Sequence, residues 1–184
     1  VSQEQWESLD RLSKEKLPLI YTACNLRFHP LIAFLKNYLK EKPEQIYEVT
    51  DYCGSYLPSW RPQLDYQDSY SAKSSMGGGV QFDLIHEIDY LNYLFGEPLA
   101  LEKQYRRVSQ LEIDSCDYAH YSATHQKFSA NVTLNYFRRD AKRTLEIVRE
   151  NDTLLLDFIN GNCINLITGQ TLLNIDKEGL SLSY

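Results

Sequence analysis

Residues 128–136 read Phe-Ser-Ala-Asn-Val-Thr-Leu-Asn-Tyr, an apolar and a polar residue in strict turn. Successive side chains on a β-strand point to opposite faces, so this stretch makes one apolar and one wet face, and it has the wrong period for an amphipathic helix. A strand with one solvated face belongs in an antiparallel sheet, because parallel sheets are covered on both sides. Turn signals at Asn151-Asp152, Asn160-Gly161-Asn162 and Thr168-Gly169 divide the following sequence into short strands. Everything after Pro98 is expected to form an antiparallel meander of about five to seven strands.

The first half has a different grain. Ser2 to Lys16 reads as a helix, with Ser2 and Gln5 as a capping box and Trp6, Leu9 and Leu12 as a narrow apolar stripe. Pro18 ends it, and Leu19 to Cys24 (LIYTAC) reads as a short buried strand. A second helix starts at Pro30 and presents Leu31, Phe34, Leu35, Tyr38 and Leu39 on one face; residues 45–52 read as a strand. Residues 54–76 hold two prolines, many aromatics and no period, and loops of that length are often functional. The expected fold is α+β: an open, mainly antiparallel β-sheet with helices covering one face.

Charge narrows the function. The 184 residues carry 19 basic and 25 acidic side chains, a net charge of −6, which argues against a nucleic-acid partner. No apolar run approaches the roughly 20 residues of a membrane span, so no membrane partner is expected, and the N-terminus lacks the layout of a secretory signal. The four cysteines are widely scattered without zinc-type spacing, which suits free thiols in a reducing cytosol; the expected location is cytoplasmic, with no metal.

The densest chemistry lies in GGGVQFDLIHEIDYLNYLFG, residues 77–96. On a helical wheel Leu84, Ile85, Ile88, Leu91 and Phe95 share a face expected to dock on the sheet, while Asp83, His86, Glu87 and Tyr90 fall opposite. Asp83 and His86, three residues apart, are neighbours in space. A carboxylate beside an imidazole is the pair that proton transfer near neutral pH requires. The competing reading is a merely solvated polar face; a metal site would need more ligands than one helix supplies. In the long loop, Trp60, Arg61, Tyr66, Tyr70 and Lys73 suit a sugar pocket, aromatic rings packing on the sugar and cations holding phosphate, or simply pin the loop. Arg138, Arg139, Lys142 and Arg143 form a basic cluster that either pairs with strand carboxylates or meets a substrate phosphate. His29, His120 and His125 read as structural.

NLRFHP at 25–30, YLPSWRP at 56–62 and GGGVQFDLIHEIDYLNYLFGEP at 77–98 together resemble the glucose–fructose oxidoreductase / inositol dehydrogenase (Gfo/Idh/MocA) family. The resemblance covers most of the chain and thins after about residue 150. It implies a nicotinamide-dependent oxidoreductase of a sugar, cyclitol or nucleotide-sugar, with an N-terminal Rossmann domain and a C-terminal α/β domain on a large open sheet. His86 becomes the general acid/base at the reacting oxygen, and Asp83 binds substrate and steers the imidazole. Asn25 and Arg27 fall at a junction that faces cofactor and substrate. Many members place the aspartate four residues before the histidine; here the gap is three. The family also associates through its sheet, which implies a homo-oligomer.

The family's catalytic lysine, in a Glu-Lys-Pro motif, precedes N-x-RFHP. The Glu41-Lys42-Pro43 of this chain follows it, at a helix end, and is a decoy. No strand leads into a phosphate-cradling GxGxxG. Residues 1–24 are therefore expected to be the end of a Rossmann domain and 25–184 a substrate-binding and oligomerisation domain. NAD or NADP would serve the full-length protein and not bind tightly to this chain, which alone would be inactive. The alternative is a non-catalytic sugar-binding or dimerisation module.

Overall fold

The computed structural model describes residues 3–14 and 23–176. The first helix, α1, spans Gln3–Lys14, close to expectation, although the side chains of its apolar stripe lie outside what is described. The expected strand LIYTAC also lies outside the described residues except for Ala23 and Cys24, which belong to no strand. A 3-10 turn, Asn25–Phe28, leads into α2, Pro30–Glu41. His29 caps α2, its Nδ1 accepting from the Leu31 N–H at 3.2 Å. The ring is buried, and that burial, with the positive charge of Arg143 second, lowers its pKa to about 4.

Strand β1 is Ile46–Gly54; the second half contributes β2 (Ala100–Arg106), β3 (Tyr118–Thr124), β4 (Ser129–Asn135), β5 (Lys142–Arg149), β6 (Thr153–Asp157), β7 (Asn162–Asn165) and β8 (Thr171–Asn174). They form one sheet in the order β2-β3-β4-β1-β5-β6-β7-β8. The meander is therefore real but split: β1 inserts between β4 and β5, parallel to β4 and antiparallel to β5. The α+β, mainly antiparallel architecture read from the sequence is the one observed.

The two faces differ as the alternation requires. Val49 and Cys53 of β1, Ala130, Val132 and Leu134 of β4, and Leu145 and Ile147 of β5 are buried on the face that carries α2 and the helix Ile85–Phe95 (α4). Leu31, Ile32 and Leu35 of α2 are fully buried in the same core. The opposite face is polar: Glu48, Thr50 and Tyr52 alternate with the buried positions of β1, as His120 and Ser122 do in β3 and Asn131 and Thr133 in β4.

The helix from the glycine run departs from the wheel. It breaks at Leu84 (φ −103°, ψ 30°), leaving a single turn Val80–Asp83 (α3) before α4. Beyond the break, Glu87 and Tyr90 are fully buried and Ile85 is 45% exposed, so the docked face is not the purely apolar one expected. The cause lies beneath it. Arg143 of β5 donates from Nε to Glu87 Oε1 at 2.7 Å, and the Tyr90 hydroxyl donates to Asp51 of β1 at 2.8 Å. Buried polar groups settle where partners wait, and the sheet supplies both.

The glycines are a backbone device. A Cβ on Gly78 would stand 2.1 Å from the carbonyl oxygen of Tyr70 and 2.7 Å from that of Ser71, and Gly79 has φ +131°. Only glycine lets the chain pass so close to the loop and then start a helix.

Candidate functional site

The charged residues of 77–96 divide into three groups. Half-buried Asp83, at the end of α3, accepts from the Tyr136 hydroxyl at 2.6 Å through Oδ2. Tyr136 follows β4, is fully buried, and meets the Trp60 ring edge-on at 5.3 Å; Trp60 in turn donates from Nε1 to Ser55 at 2.8 Å. Burial, then the bond to Asp83, holds the Tyr136 phenol far above its ordinary pKa, so it is a fixed donor. Trp60 thus spends much of its surface on the protein, whereas Tyr70 remains 41% exposed, with Arg61 5.7 Å above its ring.

His86 belongs to the second group. It is half-buried in the first turn of α4, one helical turn before Asp89, whose carboxyl its charge touches only as the least of several influences. Asp89 grips Arg27 with both oxygens, Nε to Oδ2 at 2.9 Å and Nη2 to Oδ1 at 2.6 Å. That bidentate bond, followed by a bond from the Cys24 thiol, holds the Asp89 carboxyl below the usual carboxylate range. The same bond raises the pKa of Cys24. Arg27 also lies 5.4 Å from the Tyr93 ring, which Lys36 covers at 3.3 Å. The structure thus gathers His86 and Arg27 on one side of α4; Asn25, in the turn before Arg27, is exposed.

The third group lies beneath α4. Asp51 shares the buried phase of Val49 and Cys53, and burial and the nearby negative charge of Glu87 push its pKa well up. Sequence reasoning missed Asp51, Tyr136 and the placement of Glu87. The signal existed for two of them: an acid in the core phase of a strand and a tyrosine ending the apolar phase of another both demand buried partners.

Lys73 stands apart. It pairs with Asp68 at 3.1 Å and borders a shallow depression of about 400 Å³ shared with Arg107, Glu112 and Asp114. A second cavity, about 370 Å³ and mostly apolar, runs between α4 and strands β2 to β4, lined by Ile88, Leu91, Phe95, Tyr121 and Val132 with Asp89 at its rim. In the basic cluster, Arg143 pairs with Glu87 and Arg138 with Asp140, while Arg139 lies over the Tyr56 ring at 4.1 Å. Lys42 ends α2 with its Nζ 4.8 Å from the Tyr38 ring, in keeping with a helix-end role. His120 meets the Thr133 hydroxyl at 3.2 Å and His125 stacks on Phe128 at 4.3 Å. Among the described residues no three His, Cys, Asp or Glu side chains gather as a metal site, and no helix is long and apolar enough to cross a membrane. Nor does the glycine run offer a phosphate cradle: its close approach is to loop carbonyls, which repel an anion.

No family model matches the sequence, and no curated protein does. Solved structures do match by fold. The UDP-N-acetylglucosamine 3-dehydrogenase GnnA from Acidithiobacillus ferrooxidans matches with a TM-score of 0.67 at 16% identity, over 98% of this chain and 55% of that one. A levoglucosan dehydrogenase in complex with NADH gives 0.65 at 18%, over 78% and 41%. The WlbA dehydrogenase from Bordetella pertussis, in complex with NADH and UDP-GlcNAcA, gives 0.55 at 15%, over 68% and 39%. At these identities the likeness is one of fold. The chain spans between 39% and 55% of the length of these three structures.

Proposed function

We propose that this chain, which has the C-terminal-domain fold of the Gfo/Idh/MocA-type oxidoreductases, is the substrate-binding part of an NAD- or NADP-dependent oxidoreductase acting on a sugar, cyclitol or nucleotide-sugar. The observation that carries the reading is the fold shared with GnnA over 98% of the chain. The side chains are in keeping with it: Asp89, one helical turn after His86, is fixed by Arg27.

In this reading His86 exchanges the proton of the reacting hydroxyl or carbonyl oxygen, which is what a positioned imidazole does near neutral pH. Asp89 and Arg27 orient it. Asp83, set by Tyr136, accepts a neighbouring substrate hydroxyl, Trp60 and Tyr70 approach the remainder of the substrate from the loop side, and Asn25 does so from the turn that carries Arg27. Redox chemistry requires a nicotinamide, and the glycine run, with Gly78 against loop carbonyl oxygens, does not fit its pyrophosphate. The only chemical step assigned to this chain is therefore the proton transfer at oxygen. The chain alone is inactive, and in the cell it is cytoplasmic and oligomeric through its sheet.

A second reading, a dimerisation or sugar-binding module without chemistry, draws on the polar face of the sheet, where Thr50, Tyr52, His120 and Thr133 recur in place of apolar residues. One titration separates the enzymatic reading from a dimerisation module. UDP-N-acetylglucosamine added to the chain should shift the NMR signals of His86 and Arg27, while NADH should shift none. A nucleotide-sugar that leaves His86 unmoved at millimolar concentration contradicts the enzymatic reading.

A further inference from the structure

Strand β2 is exposed along its whole length. All seven residues, Ala100–Arg106, are open to solvent, including those on the helix-bearing side of the sheet, where Leu101 is 49% and Tyr105 40% exposed. Among the described residues it is also the sheet's edge, with β3 as its single neighbour in the ladder. An edge strand offers a free row of N–H and C=O groups to another strand. The question is whether its side chains invite or forbid one particular partner.

A second copy of β2 is testable by arithmetic. Two identical antiparallel strands related by a twofold axis alternate between hydrogen-bonded and non-bonded pairs, so the axis passes through a residue facing itself. Centring on Glu102, Lys103 or Arg106 sets two like charges face to face, which destabilises a pair. Centring on Leu101 or Tyr105 overlaps only three strand residues. Centring on Gln104 overlaps five, and every opposition is favourable. Glu102 faces Arg106 of the second copy, Lys103 faces its Tyr105, and Gln104 faces Gln104. The two charged oppositions lie on the polar face of the sheet, and the Lys103–Tyr105 oppositions on the other. Lys103 already leans toward its own Tyr105, 5.9 Å from the ring, and Tyr105 is braced edge-on by Tyr121 at 5.7 Å.

We infer that β2 pairs with β2 of a second copy of this chain about a twofold axis at Gln104, joining the two sheets edge to edge. This surface is separate from the polar sheet face invoked above, and the inference does not depend on the oxidoreductase reading.

The test is a cysteine placed on the axis. Residues facing each other across an antiparallel pair have Cβ atoms near disulfide range. Gln104→Cys should therefore cross-link to a covalent dimer under mild oxidation, faster than wild type with its native cysteines and faster than Ala100→Cys at the strand's end. Charge reversal gives an independent reading by analytical ultracentrifugation. Glu102→Arg or Arg106→Glu alone should weaken dimerisation about tenfold, and the double variant should restore it. Gln104→Cys cross-linking no faster than Ala100→Cys would overturn the inference, whether or not the chain dimerises elsewhere. So would a dimer indifferent to both single reversals, which would make the charges of β2 only a guard against edge pairing.

Discussion

Arg143→Met removes the cation beneath α4 while keeping an apolar stem of similar length. The side chain of Glu87 is fully buried and that of Arg143 only 14% exposed, with Nη2 and Nε at 2.6 and 2.7 Å from the same carboxylate oxygen. The second oxygen of Glu87 has no hydrogen-bond partner, so the ion pair is its main compensation for lost water. Stripping one partner from a buried pair costs about 3–5 kcal/mol, because the other charge is stranded. In a chain of this size each kcal/mol moves Tm by about 2–4 °C, so the variant should melt roughly 6–20 °C lower. Adding Glu87→Gln removes the stranded charge and should recover at least half of the loss, since what hurts is the unpaired carboxylate rather than the missing bridge. Urea and thermal unfolding at pH 7 measure both. A loss below about 1 kcal/mol for Arg143→Met, or a double variant no better than the single one, would refute this account of how α4 is seated.

Three further outcomes are expected. His29 has a folded pKa of about 4 against an ordinary 6.5, so the unfolded chain binds the extra proton between those values. Its contribution is full above pH 6.5 and is lost as pH falls toward 4, by up to about 3 kcal/mol at 1.36 kcal/mol per pKa unit. Asp51, raised by burial, titrates in the opposite sense, so the part due to His29 is the difference in pH-dependent unfolding between wild type and His29→Asn. Asp51→Asn removes the ionisable group that burial disfavours and keeps an acceptor for Tyr90, so denaturation should place it within about 1 kcal/mol of wild type, while Asp51→Ala loses about 1–3 kcal/mol. Gly78→Ala drives a Cβ into backbone oxygens and should cost on the order of 3 kcal/mol, whereas Gly77→Ala, at φ +80° in open space, should cost about 1 kcal/mol in the same urea assay.

The sequence was most legible where local pattern alone decides structure. The alternation of 128–136 gave β4 with Ala130, Val132 and Leu134 buried, and the turn dipeptides separated the later strands. What it could not show was partnership at a distance. A wheel turns charged residues outward unless something inside receives them, and the receivers of Glu87 and Tyr90 stand 56 and 39 residues away. The break at Leu84 changes the helix phase without any proline or glycine to announce it. The insertion of β1 beside β4 likewise depends on a pairing across the chain that no local signal encodes. At the candidate site, Asp83 was singled out by its spacing from His86, while its hydrogen-bond partner Tyr136, 53 residues away, had no local signal.

The proposed function puts a proton transfer at the substrate oxygen on His86. Its most direct measurement is dehydrogenase turnover by this chain together with whatever sequence the gene encodes before Val1, supplied with a nicotinamide cofactor and nucleotide-sugar, comparing wild type with His86→Ala. Loss of a general acid/base predicts that kcat falls about 10²–10⁴-fold with substrate affinity nearly kept. Turnover unchanged by His86→Ala would contradict it.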